Sequence, residues 1–123
     1  MEKPPKKLDV WNLSVDLVVQ VYKSTDAFPR EGRYNLTDQI RRAAISIPSN
    51  IAEGAARQTG KVFANYLHIA QGSLSELDTL FEVAKRLGYV SPSQWTALDT
   101  PMERIDKMLS GLIRRQKRTR GEP

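Results

Sequence analysis

Apolar residues recur at helical spacing through most of this chain. At about 100° per residue, the apolar positions between Leu36 and Ile51 fall within one arc about 100° wide, as they do on an amphipathic helix. The phase continues across Pro48 without a shift. A proline inside a helix removes one backbone hydrogen bond and bends the helix. The pattern therefore predicts one kinked helix here, and not two separate helices.

The first predicted helix, from Asp9 as a candidate N-cap to about Thr25, carries an unusually broad apolar surface. Its polar wedge is only about 80° wide, whereas a helix in a monomeric bundle needs an apolar arc of little more than 100°. We infer that this helix contacts a second partner; the alternative is a helix central in its own core. The two apolar stripes are Val10, Leu13, Leu17 and Val21, and Trp11, Val15, Val18, Val19 and Tyr22.

Capping and breaking residues set the remaining boundaries. Gly88 is typical of the residue that follows a helix C-terminus, and Pro101 predicts a kink or a short break. Gly54 lies inside a predicted helix at a cost of about 1 kcal/mol, which indicates close approach of another backbone. The predicted bounds are Asn35 or Thr37 to Gly60 for the second helix, Lys61 to Leu87 for the third, and Ser91–Pro92 to Ile113 for the fourth.

These patterns predict an all-α fold, an up-and-down antiparallel four-helix bundle occupying residues 8–113. Residues 1–7 and 114–123 are predicted to be disordered basic segments. The net charge of +5 lies in those segments, because residues 1–7 carry +2, residues 114–123 carry +4 and the body carries −1. Contact with nucleic acid would therefore come mainly from the termini, unless assembly gathers the arginines of the body.

Composition narrows the function further. The 123 residues include no cysteine, which excludes disulfides and thiolate metal sites. No apolar run approaches the roughly 20 residues that span a bilayer, so we expect a cytoplasmic protein. His68 is the sole histidine, and we expect it on the surface or at an interface. Asp78 and Glu82 are expected on a solvated face near Lys85 and Arg86. No catalytic, cofactor or metal site is predicted, and we expect the protein not to be an enzyme.

A polar stripe on the second helix has two interpretations. Gln39, Arg42, Ser46, Asn50 and Glu53 would form either a surface for a ligand or nucleic acid, or a polar network buried between helices or subunits. One acid among short polar residues suits a protein–protein seam better than a track for phosphates. We favour the seam.

Two stretches carry a family resemblance: QIRRAAISIPSNIAEG, at residues 39–54, and FANYLHIAQGSLSELDTL, at residues 63–80. They resemble the four-helix-bundle proteins encoded in intervening sequences of bacterial 23S ribosomal RNA genes. The resemblance extends from about Leu8 to Leu112. It implies a four-helix protomer assembled as a ring of five. It also points to a distant relative, the accessory protein of diversity-generating retroelements, which binds nucleic acid and a reverse transcriptase.

The leading hypothesis is a non-enzymatic oligomer, most simply a pentamer, that associates with RNA or DNA. The alternatives are a scaffold for another protein, such as a polymerase, and a bundle that binds a small molecule. The candidate nucleic-acid contacts are Arg41, Arg42, Arg114, Arg115, Lys117, Arg118 and Arg120. The candidate residues of the interface between copies are Trp11, Val15, Val18, Tyr22, Arg42, Ser46, Asn50 and Glu53.

Overall fold

The computed structural model describes Met1 and residues 8–29 and 36–119. Its four α-helices coincide with the four stretches of helical apolar periodicity in the sequence. These ranges contain no strand. The predicted arm at residues 1–7 lies outside the described residues except for Met1. The helices are α1 (Asp9–Thr25), α2 (Asp38–Ala55), α3 (Gly60–Arg86) and α4 (Pro92–Thr119).

Side-chain and backbone caps define both ends of α3 and the start of α4. Thr59 accepts a hydrogen bond from the Val62 amide at the start of α3. At its end the Gly88 and Tyr89 amides bond back to Lys85 and Ala84, a Schellman motif that requires the positive φ of Gly88. Before α4, the Ser91 hydroxyl accepts from the Gln94 amide while the Gln94 side chain accepts from the Ser91 amide. The capping residues predicted for these helices are confirmed.

The cap predicted for α1 is wrong, whereas Thr37 holds the predicted cap position of α2 but makes no side-chain capping hydrogen bond. Asp9 is already inside α1, and Leu8 occupies the cap position with no side-chain hydrogen bond. Thr37 has helical φ and ψ of −59° and −45°, so its hydroxyl does not reach a free amide of α2. Asn35 lies outside the described residues. Asp9 remains favourable within the first turn because its charge opposes the positive end of the helix dipole.

Two helix ends differ from the predicted ones. The second helix stops at Ala55 and not near Gly60, because Thr59 starts the next helix. The fourth continues to Thr119, although disorder was predicted from Arg114. Arginine, lysine and glutamine are strong helix formers, and cations in a last turn complement the helix dipole. Residues 114–119 are therefore part of α4, while residues 120–123 lie outside the described residues.

Contacts between the helices establish an antiparallel square. Consecutive helices are neighbours, and α1 also packs on α4, so α1 stands diagonally opposite α3. The pairs of residues that meet run in opposite directions along each pair of helices. Such pairs are Arg41 with Tyr22, Ser46 with Ser73, Gln71 with Ser110, and Gln20 with Ala97.

The core is apolar and draws on all four helices. Its fully buried side chains keep the phases expected from the sequence, since burying each large aliphatic or aromatic side chain contributes about 1.5–3 kcal/mol. The largest of them include Leu17, Ile40, Ile47, Leu67, Leu77, Phe81, Ile105 and Leu109.

Both internal prolines lie within unbroken helices. Pro48 stands inside α2, which confirms one helix in place of two. Pro101 stands inside α4, so the alternative of a break at that position is wrong. Core residues such as Ile47 and Ile51 hold the two halves of α2 in one phase.

Gly54 is buried at the point where α2 comes closest to α3. A β-carbon added there would stand 2.6 Å from the Tyr66 Cβ, 3.0 Å from the Phe63 ring and 3.3 Å from the Phe63 carbonyl oxygen. Separations below 3.0 Å require the neighbouring helix to move. The close approach predicted for Gly54 is therefore confirmed, and the partner is α3 of the same protomer.

We expect Gly54→Ala to destabilise the protomer by about 1–3 kcal/mol, because the added methyl group separates two packed helices. Gly72→Ala is the matched control: it also lies inside a helix, but nothing stands within 4 Å of its added β-carbon. That variant should gain about 0.5–1 kcal/mol from helix propensity. Urea unfolding followed by circular dichroism measures both. Equal effects of the two substitutions would contradict the proposed steric contact.

Candidate functional site

The candidate residues fall on three separate parts of the bundle. Arg41 lies at the corner between α1 and α2. Its Nε donates to the Thr25 hydroxyl at 3.0 Å, and its Nη2 donates to the Tyr22 carbonyl at 3.3 Å. The guanidinium also lies 4.4 Å from the centre of the Tyr22 ring and 4.0 Å from the Asp26 carboxylate. These contacts cap the last turn of α1. The Arg41 guanidinium is therefore engaged in contacts within the protomer.

Arg42, one residue later, has a different environment. It is exposed on the outer side of α2. It makes no hydrogen bond or ion pair with another residue in the described part of the chain. Two adjacent arginines that were treated as equivalent in the sequence therefore have separate roles.

The remaining basic candidates lie at one end of the bundle. Arg114, Arg115 and Lys117 are exposed in the last turns of α4. Leu8 and Leu112 line the same cleft, so the start of α1 is level with the beginning of these turns. Arg57, in the connection from α2 to α3, and Lys61, in the first turn of α3, lie at this end too. Arg118 belongs to α4, the side chain of Arg118 is not described, and Arg120 lies outside the described residues.

This end of the bundle is called the basic pole below, defined by Arg57, Lys61, Arg114, Arg115 and Lys117. The sequence places Lys6 and Lys7 directly before Leu8. An even number of antiparallel helices brings the start of α1 beside the last turns of α4, so Leu8 lies at the same end of the bundle as these cations.

The second apolar stripe of α1 is only partly covered. Trp11 and Val18 pack against the edge of the core, which accounts for some of the predicted width. Val15 is half-buried, whereas Val19 is 49% exposed and Tyr22 is 38% exposed. The first stripe is buried as expected, with Leu13 partly covered. The protomer thus leaves an apolar strip along the outside of α1.

The polar stripe of α2 forms a network with α3 of the same protomer. The Ser46 and Ser73 hydroxyls are 2.7 Å apart, and the Asn50 amide donates to the Ser46 carbonyl and hydroxyl at 2.8 and 2.9 Å. Glu53 pairs with Arg57, whose guanidinium lies 5.4 Å from the centre of the Tyr66 ring. Most of the polar residues that were predicted to lie between copies therefore bond within one protomer. Hydroxyl groups that bond one another fix the register of two helices.

The exposure of several apolar residues was not predicted from the sequence. Ile45 on α2 is 41% exposed, while Ile69 and Val83 on α3 are 51% and 42% exposed. All three lie out of phase with the main apolar stripe of their helices. Their position outside the stripe could have indicated exposure from the sequence alone. It is a weak indication of function, because single apolar residues are common on protein surfaces.

A shallow acidic cleft of about 240 Å³ lies between α3 and α4. Asp78, Asp99, Glu103 and Asp106 line it above Leu74 and Met102. Partial burial raises the pKa of Asp78, and the nearby Asp99 and Glu82 carboxylates add to the rise. Glu82 is itself paired with Arg86 at 3.0 Å.

Other candidate chemistry is sparse in the described ranges. His68 is exposed on α3, as expected. Within residues 8–29 and 36–119, no group of three or more metal-binding side chains is arranged to hold an ion. In the same ranges, no helix combines the length and apolarity needed to cross a membrane.

The charge of Asp78 should weaken the fold at neutral pH. A raised folded-state pKa means that the folded protein holds the proton more tightly than the unfolded chain does. Stability is then greatest below the ordinary value of 3.8 and declines as the pH rises through the folded-state pKa. We expect Asp78→Asn to raise the melting temperature at pH 7 and to lose that advantage below pH 3.8. Asp16→Asn, the control on exposed α1, should give no gain; an equal gain would contradict the proposed cause.

Comparison with known proteins identifies the fold. No curated protein matches the chain significantly. A crystal structure of a protein of unknown function, from the S23 ribosomal protein family of Bacteroides thetaiotaomicron, is similar with a TM-score of 0.79 and 25% identity. The similarity covers 85% of this chain and 97% of that one. The model of the 23S rRNA-intervening sequence protein family matches residues 6–111. This chain belongs to the 23S rRNA-intervening sequence protein family.

Proposed function

We propose that this protein is a non-enzymatic homo-oligomer of the cytoplasm that associates with nucleic acid through its basic pole. The observation that carries the proposal is the convergence of Arg57, Lys61, Arg114, Arg115 and Lys117 at one end of a body of nearly neutral charge. Such a concentration of cations attracts phosphates and releases their counterions on binding. Arg41 is omitted because its guanidinium holds α1 to α2.

The proposed contact is to the phosphate backbone and not to bases. No aromatic residue occurs among residues 114–123, so stacking of bases on this segment is not indicated. Arg57 is engaged by Glu53 and Tyr66, so the principal contacts in this proposal are Lys61, Arg114 and Lys117. One protomer supplies few contacts and would bind weakly at physiological salt.

Assembly would overcome that weakness. The exposed strip of α1, with Val19 and Tyr22, supports self-association, and the resemblance to the intervening-sequence family implies a ring of five. Cyclic symmetry with the helices along the ring axis points every basic pole in the same direction. Several equal sites on one rim bind a long polyanion by avidity. A bend of α2 at Pro48 belongs to the same proposal, because it would shape the surface that α2 presents to a neighbour.

A protein-interaction scaffold is the second candidate function. The exposed side chains of Val19, Tyr22 and Ile45 favour it, since contiguous apolar surface is typical of sites that contact other proteins. In that case the partner would cover the strip of α1 and nucleic acid would not be required. Direct binding to a defined RNA separates the two functions.

Removing cations from the basic pole should weaken binding to a structured RNA hairpin. We expect Arg114→Ala with Lys117→Ala to lower affinity at least tenfold at low salt, because two phosphate contacts are lost. The slope of log affinity against log salt should fall by roughly 0.7–0.9 for each contact. Filter binding between about 50 and 200 mM salt measures both.

Arg86→Ala with Arg104→Ala is the matched control, since it removes the same charge from exposed positions away from the basic pole. It should change affinity little. Equal losses in both variants would show a general charge effect, and a wild-type protein that does not bind the hairpin would exclude the proposed nucleic-acid contact.

Self-association should raise the molar mass of the protein in solution above that of one protomer. We expect light scattering to give several times the protomer mass of 13.9 kDa. Val18→Glu should disperse the oligomer, because a charge would be buried between copies, while circular dichroism keeps its helical signal. Asn12→Glu, on the solvent side of α1, should leave the mass unchanged. A wild type of 13.9 kDa would remove the oligomer from the proposal.

A further inference from the structure

His68 is the single histidine of the chain, and its side chain is exposed on α3. Within residues 8–29 and 36–119 it makes no hydrogen bond or ion pair with another residue. Its ring nitrogens are therefore accessible to a ligand. Histidine is the side chain whose charge ordinarily changes between about pH 5 and 8, and the chain has no cysteine that could do the same.

Helical phase places His68 and Lys61 on one flank of α3. The two residues are seven apart, which is two turns or about 10.5 Å along the helix. One turn further on, Gln71 donates to the Ser110 hydroxyl at 2.8 Å and to the Asp106 carboxylate at 3.2 Å. This flank of α3 is therefore the one that adjoins α4.

The flank of α4 that meets α3 carries two cations of the basic pole. Arg114 and Lys117 follow Ser110 by four and seven residues, so they keep its helical phase. A β-carbon added at Gly111 would stand 3.9 Å from the Arg114 Nη2, so this guanidinium turns back along its helix. Because the two helices are antiparallel, His68 is level with the turn of α4 that contains Gly111.

We propose that His68 is a proton-dependent phosphate contact that extends the basic pole along α3. The protonated imidazole would join Lys61 on α3 and the two cations of α4 on one outer surface. A nucleic-acid strand that rises about 3.4 Å per nucleotide covers the distance from Lys61 to His68 in about three nucleotides. This inference rests on the proposed association with nucleic acid and adds a dependence on pH to it.

The charged groups around His68 explain why a phosphate would favour its protonated form. On α3 the next charged residues are Lys61 toward the pole and Glu76 away from it, and Glu76 lines the cleft with α2. In the described ranges α2 packs on the opposite flank of α3 and α1 stands diagonally across the bundle, so neither adds a charge here. The charged groups of α4 on this side are Glu103, Asp106, Lys107, Arg114 and Lys117.

Cations outnumber carboxylates among these groups, so a further positive charge is opposed on the free surface. A phosphate bound among the cations reverses that balance, because an opposite charge nearby favours the charged form. Protonation and binding then favour each other, since linkage between two ligands is reciprocal. The protein should therefore take up protons when it binds nucleic acid, and its affinity should rise as the pH falls.

Affinity for a structured RNA hairpin at two pH values tests the proposal with the full chain. The hairpin carries hydroxyl ends, because a terminal phosphate itself changes charge near pH 6. The wild type should bind about threefold more tightly at about pH 5.5 than at about pH 7.5, one contact's share of the tenfold loss expected for two cations. The slope of log affinity against log salt should be steeper by roughly 0.7–0.9 at the lower pH. Filter binding measures both.

Substitutions at His68 separate its charge from its shape. His68→Gln keeps a polar side chain that cannot gain a charge, so most of the pH response should disappear. His68→Lys is charged at both pH values and should bind tightly at both. The matched control combines His68→Gln with Thr79→His, which moves the histidine to an exposed site on the same face of α3, three turns further from the pole. It should respond as His68→Gln does.

Proton uptake provides a second readout that a purely structural role of His68 would not alter. Calorimetric titration of the protein with the hairpin at about pH 6.5, in buffers of different ionisation enthalpy, counts the protons taken up on binding. The wild type should take up more protons per protomer than His68→Gln. Circular dichroism confirms that each variant is folded.

The outcomes of these experiments are distinguishable. A wild type that does not bind the hairpin at either pH would overturn the proposed association and this inference together. Equal affinity at the two pH values, or an undiminished pH response in His68→Gln, would overturn the role of His68 and leave the association standing. A full pH response from the histidine at position 79 would show a general charge effect and would also overturn that role.

Discussion

The antiparallel connectivity of the four helices determines where the positive charges lie on the surface of this protein. With four helices, the chain returns to the end at which it began, so α1 starts beside the last turns of α4. Arg57, in the connection between α2 and α3, and Lys61, in the first turn of α3, lie at the same end. The cations in the last turns of α4 therefore share one end of the fold with two cations that are distant from them in the sequence. The proposed association with nucleic acid follows from this arrangement and requires no catalytic group.

The contact between α2 and α3 fixes the position of these two helices relative to each other. Gly54 lets the two helices approach at one end, and the hydroxyl pair of Ser46 and Ser73 fixes their register near the middle. Apolar packing alone tolerates small sliding motions, whereas a hydrogen-bonded pair between helices has one register. The same contact brings Arg42 and Glu76 to the rims of one cleft.

The periodicity of the sequence was sufficient for four helices, for continuity across Pro48 and for the role of Gly54, because each depends on local phase or on the absence of a side chain. Helix ends were predicted well where a cap is formed by neighbouring residues, as with Ser91 and Gln94. The different environments of Arg41 and Arg42 could not be predicted, since they depend on where α1 ends in space. The cleft between α2 and α3 could not be predicted either. Arg42 and Glu76 are distant in sequence and come to line one cleft only through the packing of α2 on α3.

The extension of α4 has a mechanical consequence. Leu112 and Arg115 line the cleft at the start of α1, and the helix continues past Arg115 to Thr119, about 6 Å further along its axis. A polyanion that meets this projection finds cations already spaced by the helical repeat, and little backbone entropy is lost in arranging them. These cations also face the negative end of the helix dipole, so a bound phosphate must compete with the carbonyl groups of the last turn. In the proposed association with nucleic acid, this opposition would favour rapid binding and release over a long-lived complex.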